Sequence, residues 1–193
     1  MILVYGATSS GKSNIAENIA VKLNTTQNRA ANMCDGPNSL IYLATMESES
    51  GAARERIEHH RKLRSDKGFS TIEETLDLSH MYNQAQKNTV LLECMSNLVA
   101  NVLFDRFGET CPKDSEIVSL SEEIADQVIG LDELCELVVV TNDVFGEYYH
   151  ADAWCDSYTK LLGMVNIHLA DKAECFIEVR AGVPNFLKGE KRW

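Results

Sequence analysis

The chain has 193 residues, enough for one domain with a sizeable core, and carries 29 Asp and Glu against 18 Lys and Arg, a formal net charge of −11. A field of that sign disfavours nucleic acid and anionic membrane as partners, while leaving room for a local pocket that binds phosphate. No run approaches the roughly 20 apolar residues of a membrane span; the first strand starts at Met1, where a signal peptide would stand, and the expected compartment is the cytoplasm.

The first predicted strand, residues 2–5, reads Ile2-Leu3-Val4-Tyr5 and feeds Gly6-Ala7-Thr8-Ser9-Ser10-Gly11-Lys12-Ser13, which opens a helix over 12–23. The match to G-x-x-x-x-G-K-[ST] is complete, and strand before with helix after is the context the motif needs. Such a loop wraps a polyphosphate with inward-pointing N–H groups at a helix N-terminus. Lys12 adds a full positive charge, and Ser13 offers a hydroxyl to phosphate-bound Mg²⁺. Residues 24–39, polar and Asn-rich with Gly36-Pro37, read as a loop, and 40–43 as a strand.

A helix over 52–65 follows, on which spacing by four puts Arg56, His60 and Arg64 on one face. Two guanidiniums beside an imidazole bind phosphate oxygens and keep the ring neutral and nucleophilic near neutral pH. A neutral imidazole over a polyphosphate can attack phosphorus and form a covalent intermediate. Spacing alone favours the plainer reading, a solvated basic helix with two incidental histidines, His59 and His60.

After an extended piece near 71–73 comes the strand 90–93, Val90-Leu91-Leu92-Glu93. Its terminal carboxylate has the place of a Walker B acid and would share a magnesium ion with Ser13; a solvated strand-end glutamate also fits the pattern. Helices over 95–107, 121–134 and 153–170 alternate with strands at 137–141 and 175–179, with a last extended piece at 186–188. Residues 108–119, with Pro112, read as a second long loop; both long loops are expected to be mobile or functional lids. The alternation predicts an α/β fold: a single domain over 1–193, with a mostly parallel sheet between two helical layers. The six cysteines form no C-x-x-C pair and read as reduced, partly buried thiols, and no His/Cys/Asp cluster has transition-metal spacing.

Taken in order, these features resemble the bifunctional adenosylcobinamide kinase and adenosylcobinamide-phosphate guanylyltransferase family. The resemblance runs from the phosphate loop through Ile41-Tyr42-Leu43-Ala44-Thr45, Arg56-Ile57-Glu58-His59-His60-Arg61, Thr71-Ile72-Glu73-Glu74 and Leu91-Leu92-Glu93-Cys94. It continues through Asn101-Val102-Leu103-Phe104, Val140-Thr141-Asn142-Asp143-Val144 and Gly163-Met164-Val165-Asn166 to Ala181-Gly182-Val183-Pro184. The family usually has Arg-x-x-Arg-Asp where this chain reads Asp152-Ala153-Trp154-Cys155-Asp156.

The resemblance implies a P-loop NTPase-type fold and a homotrimer. It implies phosphorylation of adenosylcobinamide by ATP or GTP, then transfer of GMP from GTP to adenosylcobinamide phosphate through a guanylylated histidine. It gives the nucleophile's place to His60, and nucleotide contacts to Ala44, Thr45, Met46, Arg61, Lys62, Leu63, Arg64, Glu73 and Glu93, beside the phosphate loop with its Lys12. Two other readings stand beside it: a P-loop kinase of another small alcohol with His60 structural, and a GTP-binding subunit without turnover.

Overall fold

The computed structural model describes residues 1–30, 38–46, 66–144 and 152–191; the expected helix over 52–65 lies outside them. The apolar runs form a seven-stranded sheet from β1 (Ile2–Gly6), β2 (Leu40–Ala44), β3 (Ser70–Glu73), β4 (Thr89–Glu93), β5 (Glu136–Asn142), β6 (Cys175–Arg180) and β7 (Val183–Lys188). The spatial order is β3-β2-β4-β5-β1-β6-β7. Pairings are parallel except β6 with β7, an antiparallel hairpin at the sheet edge. The extended pieces expected near 71–73 and 186–188 are β3 and β7.

Strand alternation sorts the core into two layers. Leu3, Leu43, Val90, Leu92, Leu137 and Val139 face one side, where α2 (Met95–Phe107), α3 (Asp114–Asp132) and α4 (Ala153–Lys172) pack. Ile2, Val4, Leu91, Val138 and Val140 face the other and meet Ala16, Ile19 and Ala20 of α1 (Lys12–Ala30). The three-layer α/β reading therefore holds. The same parity turns Gly6, Glu93 and Asn142, two positions on from Val4, Leu91 and Val140, toward the α1 side.

Both stretches expected as long loops are helical in part. Helix α1 runs on to Ala30 instead of ending at Leu23, so the first seven residues of the loop expected over 24–39 are helical. Thr25 and Thr26 donate back to the carbonyls of Val21 and Lys22 (2.8 and 2.9 Å), while Asn28 accepts from Asn38 N at 2.6 Å and donates to Asn38 O at 3.2 Å. Gln27 Oε1 accepts from Thr89 Oγ1 at 3.0 Å. Polar side chains that read as loop are thus occupied in holding a helix tail to the sheet.

Helix α3 starts at Asp114 instead of Ser121 and ends at Asp132, which shortens the second loop. Glu116 reaches back to accept from Lys113 N at 2.6 Å, and acidic residues in the first turn suit the helix dipole. Ile117 and Leu120 are buried in that first stretch.

Between β3 and β4 lies a 3-10 turn, Leu78–Met81, continuing as one helical turn, Tyr82–Ala85. It docks on α3: Leu78 N donates to Gln127 Oε1 at 2.9 Å, and the Tyr82 hydroxyl donates to Gln127 O at 3.1 Å. Gly130 makes room for it, since a Cβ there would stand 2.5 Å from the Tyr82 hydroxyl. The turn is closed by Glu74, which accepts from Leu76 N and Asp77 N (3.1 and 3.2 Å) and pairs with His80 Nδ1 at 2.9 Å.

Burial pushes the Glu74 carboxyl up, but hydrogen bonds from His80 and the two backbone amides outweigh it and hold the group below the usual carboxylate range. The hydrogen bond to Glu74, then the charges of Glu74 and Asp77, raise the exposed His80 imidazole above its ordinary value.

Replacing the fully buried Leu92 by Ala should cost about 2–5 kcal/mol in chemical denaturation. The His80–Glu74 pair gives a pH prediction. His80's contribution is complete below the unfolded imidazole pKa and is lost as pH rises through the raised folded value. Glu74's is present above the unfolded carboxyl pKa and is lost as pH falls through the lowered folded value. NMR titration should therefore place the His80 midpoint above that of an unstructured histidine, and Glu74→Gln should bring it down.

Candidate nucleotide site

The eight-residue loop Gly6-Ala7-Thr8-Ser9-Ser10-Gly11-Lys12-Ser13 leaves the carboxyl end of β1 and enters α1. Its curvature comes from Ser9 and Gly11, which have φ of 60° and 90°. Inside it, Ser10 N donates to Ala7 O (3.1 Å) and Lys12 Nζ donates to the same oxygen (3.2 Å).

The loop is seated from outside by the turn between β6 and β7. Gly182 N donates to Ser10 O at 2.8 Å, and a Cβ on Gly11 would come within 3.2 Å of Gly182 Cα. On Gly6 a Cβ would meet Val179 O at 2.6 Å. Gly6 is therefore required by backbone approach, and Gly11 by backbone approach and dihedral angle together.

Lys12 is only 8% exposed. Burial lowers its pKa, and the negative charge of Glu93 opposes that. Beside it the Ser13 hydroxyl donates to Glu93 Oε1, while Glu93 Oε2 is buried without a hydrogen-bond partner among the described residues. A hydroxyl oxygen and a carboxylate with an unused oxygen, at the mouth of a phosphate loop, are hard ligands of the kind Mg²⁺ takes. These residues fit the ion.

The carboxyl ends of the neighbouring strands extend the site in a row. Register pairs Glu73 with Ala44, Ala44 with Glu93, and Gly6 with Asn142. Of the expected nucleotide contacts, the phosphate loop, Ala44, Thr45, Met46, Glu73 and Glu93 are thus at one end of the sheet. His60 and the contacts expected at Arg61, Lys62, Leu63 and Arg64 lie outside the described residues.

Thr45 is fully buried and committed to the fold. Its N–H donates to Glu93 O (3.2 Å), its hydroxyl donates to Cys94 O and accepts from Cys94 N (both 2.8 Å), and its carbonyl accepts from Asn101 (2.8 Å). It fixes the end of β2 to the end of β4.

Sequence reasoning did not single out a polar cluster behind the loop. Asn142 Nδ2 donates to Ser96 Oγ at 2.6 Å, and Ser96 Oγ lies 3.0 Å from the buried thiol of Cys94, whose pKa burial raises. Tyr158 donates to Ser96 O at 3.4 Å and stacks on Trp154, with ring centroids 6.1 Å apart. The strand-end placement of Asn142, two residues past the apolar run Leu137–Val140 of β5, was the signal available.

Next to this end of the sheet is a groove of about 550 Å³ lined by Leu76, Ala100, Asn101, Phe104, Asp105 and Trp154. Phe104 is 59% exposed there, and Trp154 Nε1 donates to Gly108 O at 3.2 Å.

Residues 2–187 match the family described as cobinamide kinase / cobinamide phosphate guanyltransferase. The chain belongs to that family. Among its relatives is the bifunctional adenosylcobalamin biosynthesis protein CobU of Escherichia coli strain K12, 28% identical over 180 residues, 90% of this chain and 91% of the relative. The protein of the same name from Salmonella typhimurium strain LT2 is 29% identical over 181 residues, 90% of this chain and 92% of the relative. Membership in this family agrees with the resemblance that the loop, the Arg-Ile-x-x-His stretch and Glu93 suggested.

Lys12→Ala should weaken binding of a fluorescent GTP analogue at least tenfold, and Ser13→Ala should raise the Mg²⁺ concentration needed for half-maximal binding, both by titration at fixed ionic strength.

Proposed function

We propose that this cobinamide kinase / guanyltransferase of cobalamin biosynthesis phosphorylates the hydroxyl of adenosylcobinamide and then moves GMP from GTP to the resulting phosphate, with His60 carrying the nucleotidyl group. The observation that carries the reading is the family match across residues 2–187. The phosphate loop, with Lys12 buried in it and Ser13 on Glu93, supports nucleotide binding at the carboxyl end of the sheet.

In the kinase step the acceptor hydroxyl attacks the γ-phosphorus. A new P–O bond forms, the bond to the leaving nucleoside diphosphate breaks, and the hydroxyl proton passes to a nearby base or to solvent. Lys12 and the loop amides hold the phosphates in line, and positioning with charge stabilisation supplies most of the rate.

In the transfer step a His60 ring nitrogen attacks the α-phosphorus of GTP. A P–N bond forms, pyrophosphate leaves, and the cobinamide phosphate then displaces the imidazole, giving a diphosphate and restoring the ring. Arg56 and Arg64, at spacings of four from His60, suit the oxygens of that phosphate. When bound, Mg²⁺ supplies charge neutralisation at the polyphosphate, and Ser13 and Glu93 are the residues to hold it.

Ala44, Met46, Glu73 and the 61–64 stretch would line the nucleoside side, with the buried Thr45 fixing the backbone between Ala44 and Met46, and the groove walled by Phe104 and Trp154 suits the large, partly apolar acceptor. A cytoplasmic homotrimer completes the reading; no helix among the described residues is long and apolar enough to cross a membrane.

With Mg²⁺ and GTP labelled at the α-phosphate, the protein should acquire acid-labile, base-stable label that His60→Ala abolishes and His59→Ala keeps. Absence of label in the wild-type protein would remove the transfer half of the proposal, and label from γ-labelled GTP alone would favour a simple kinase.

A further inference from the structure

The buried polar atoms left without partners among the described residues include three oxygens at the phosphate loop: Ser10 Oγ, Glu93 Oε2 and Asn142 Oδ1. A buried acceptor with no donor is costly, so each such atom asks for a ligand. Phosphate cannot satisfy the last two, because its oxygens are themselves acceptors. Only a group that carries hydrogen on oxygen or nitrogen, or a cation, can.

Asn142 ends β5, the strand between β4 and β1, and lies in register beside Gly6, the first residue of the loop. Side-chain alternation places it with Glu93 on the α1 side of the sheet. Its amide nitrogen is already used: it donates to Ser96 Oγ at 2.6 Å, which fixes the plane of the carboxamide and leaves Oδ1 as the free end. Ser96 Oγ in turn lies 3.0 Å from the Cys94 sulfur, the residue that follows Glu93.

We propose that Asn142 is a substrate-positioning residue of the phosphoryl-transfer site: Oδ1, together with Glu93 Oε2, accepts an O–H group beside the phosphate loop. Two groups present in the reaction carry that chemistry, a water on the nucleotide-bound Mg²⁺ and the hydroxyl of the phosphoryl acceptor. In either case Ser96 acts behind Asn142 by holding its amide plane. The inference rests on the phosphate loop being the nucleotide site.

The experiment compares wild type with Asn142→Ala, Asn142→Asp and Ser96→Ala, each checked for an unchanged melting curve. The first readout, without acceptor, is the Mg²⁺ dependence of binding of a fluorescent GTP analogue. The second is KM for cobinamide in the kinase step at saturating Mg²⁺ and nucleotide. Asn142→Ala should change one readout by about fivefold or more: the first if the partner is metal-bound water, the second if it is the acceptor hydroxyl.

Asn142→Asp, which keeps an acceptor oxygen at the same atom, should retain most of the wild-type behaviour. No change in either readout for Asn142→Ala overturns the proposal. So does an equal loss in Asn142→Asp. Ser96→Ala, which frees the amide plane but leaves Oδ1 in place, should move the same readout as Asn142→Ala by a smaller factor. Lys12→Ala serves as the separate check. If it leaves nucleotide affinity unchanged, the site reading itself fails, whatever Asn142 does.

Discussion

The parallel register of β4, β5 and β1 is the constraint on which the site depends. Each strand delivers one part of the site at its carboxyl end: the carboxylate of Glu93, the carboxamide of Asn142 and the glycine that opens the phosphate loop. Because side chains alternate strictly, a slip of one residue in any of the three would turn its feature into the other helical layer. Val138, Val140 and Leu91 hold that register by burial beneath α1. The apolar core and the chemistry are thus two ends of the same strands.

Thr45 and Asn101 extend the constraint sideways. Thr45 uses its N–H and hydroxyl to join β2 to the end of β4, and Asn101 bridges the carbonyls of Thr45 and Thr75 at 2.8 and 3.2 Å. The chain leaving β2, the turn after β3 and the first turns of α2 are therefore tied at one point. In this way the backbone near Ala44 and Glu73 is fixed independently of any ligand.

Much of this was legible in the sequence, and the reasons differ by residue. The phosphate loop was legible because its glycines answer demands of close backbone approach and, at Gly11, of dihedral angle, and its Lys and Ser have fixed offsets. The strands were legible because sheets buried on both faces leave continuous apolar runs. The tail of α1 was not, since Asn24-Thr25-Thr26-Gln27-Asn28 has loop composition and is held by bonds from Asn28 to Asn38 and from Thr89 to Gln27, which no helical spacing announces. The start of α3 had a readable signal, an acid placed to cap the turn and Ile117 and Leu120 at helical spacing, which Pro112 and mixed charges obscured. Asn142 and Ser96 meet only in the folded sheet, so no spacing announces them.

The hydrogen bond from Gly182 to Ser10 ties one of the earliest turns of the chain to one of its latest. During synthesis the loop's residues emerge long before the hairpin that seats them. An emerging chain can thus carry the whole nucleotide motif while its cradle is still unfinished. Acquisition of ligand affinity would then report completion of the fold, and a lesion near the β6–β7 turn would mimic one at the opposite end of the polypeptide.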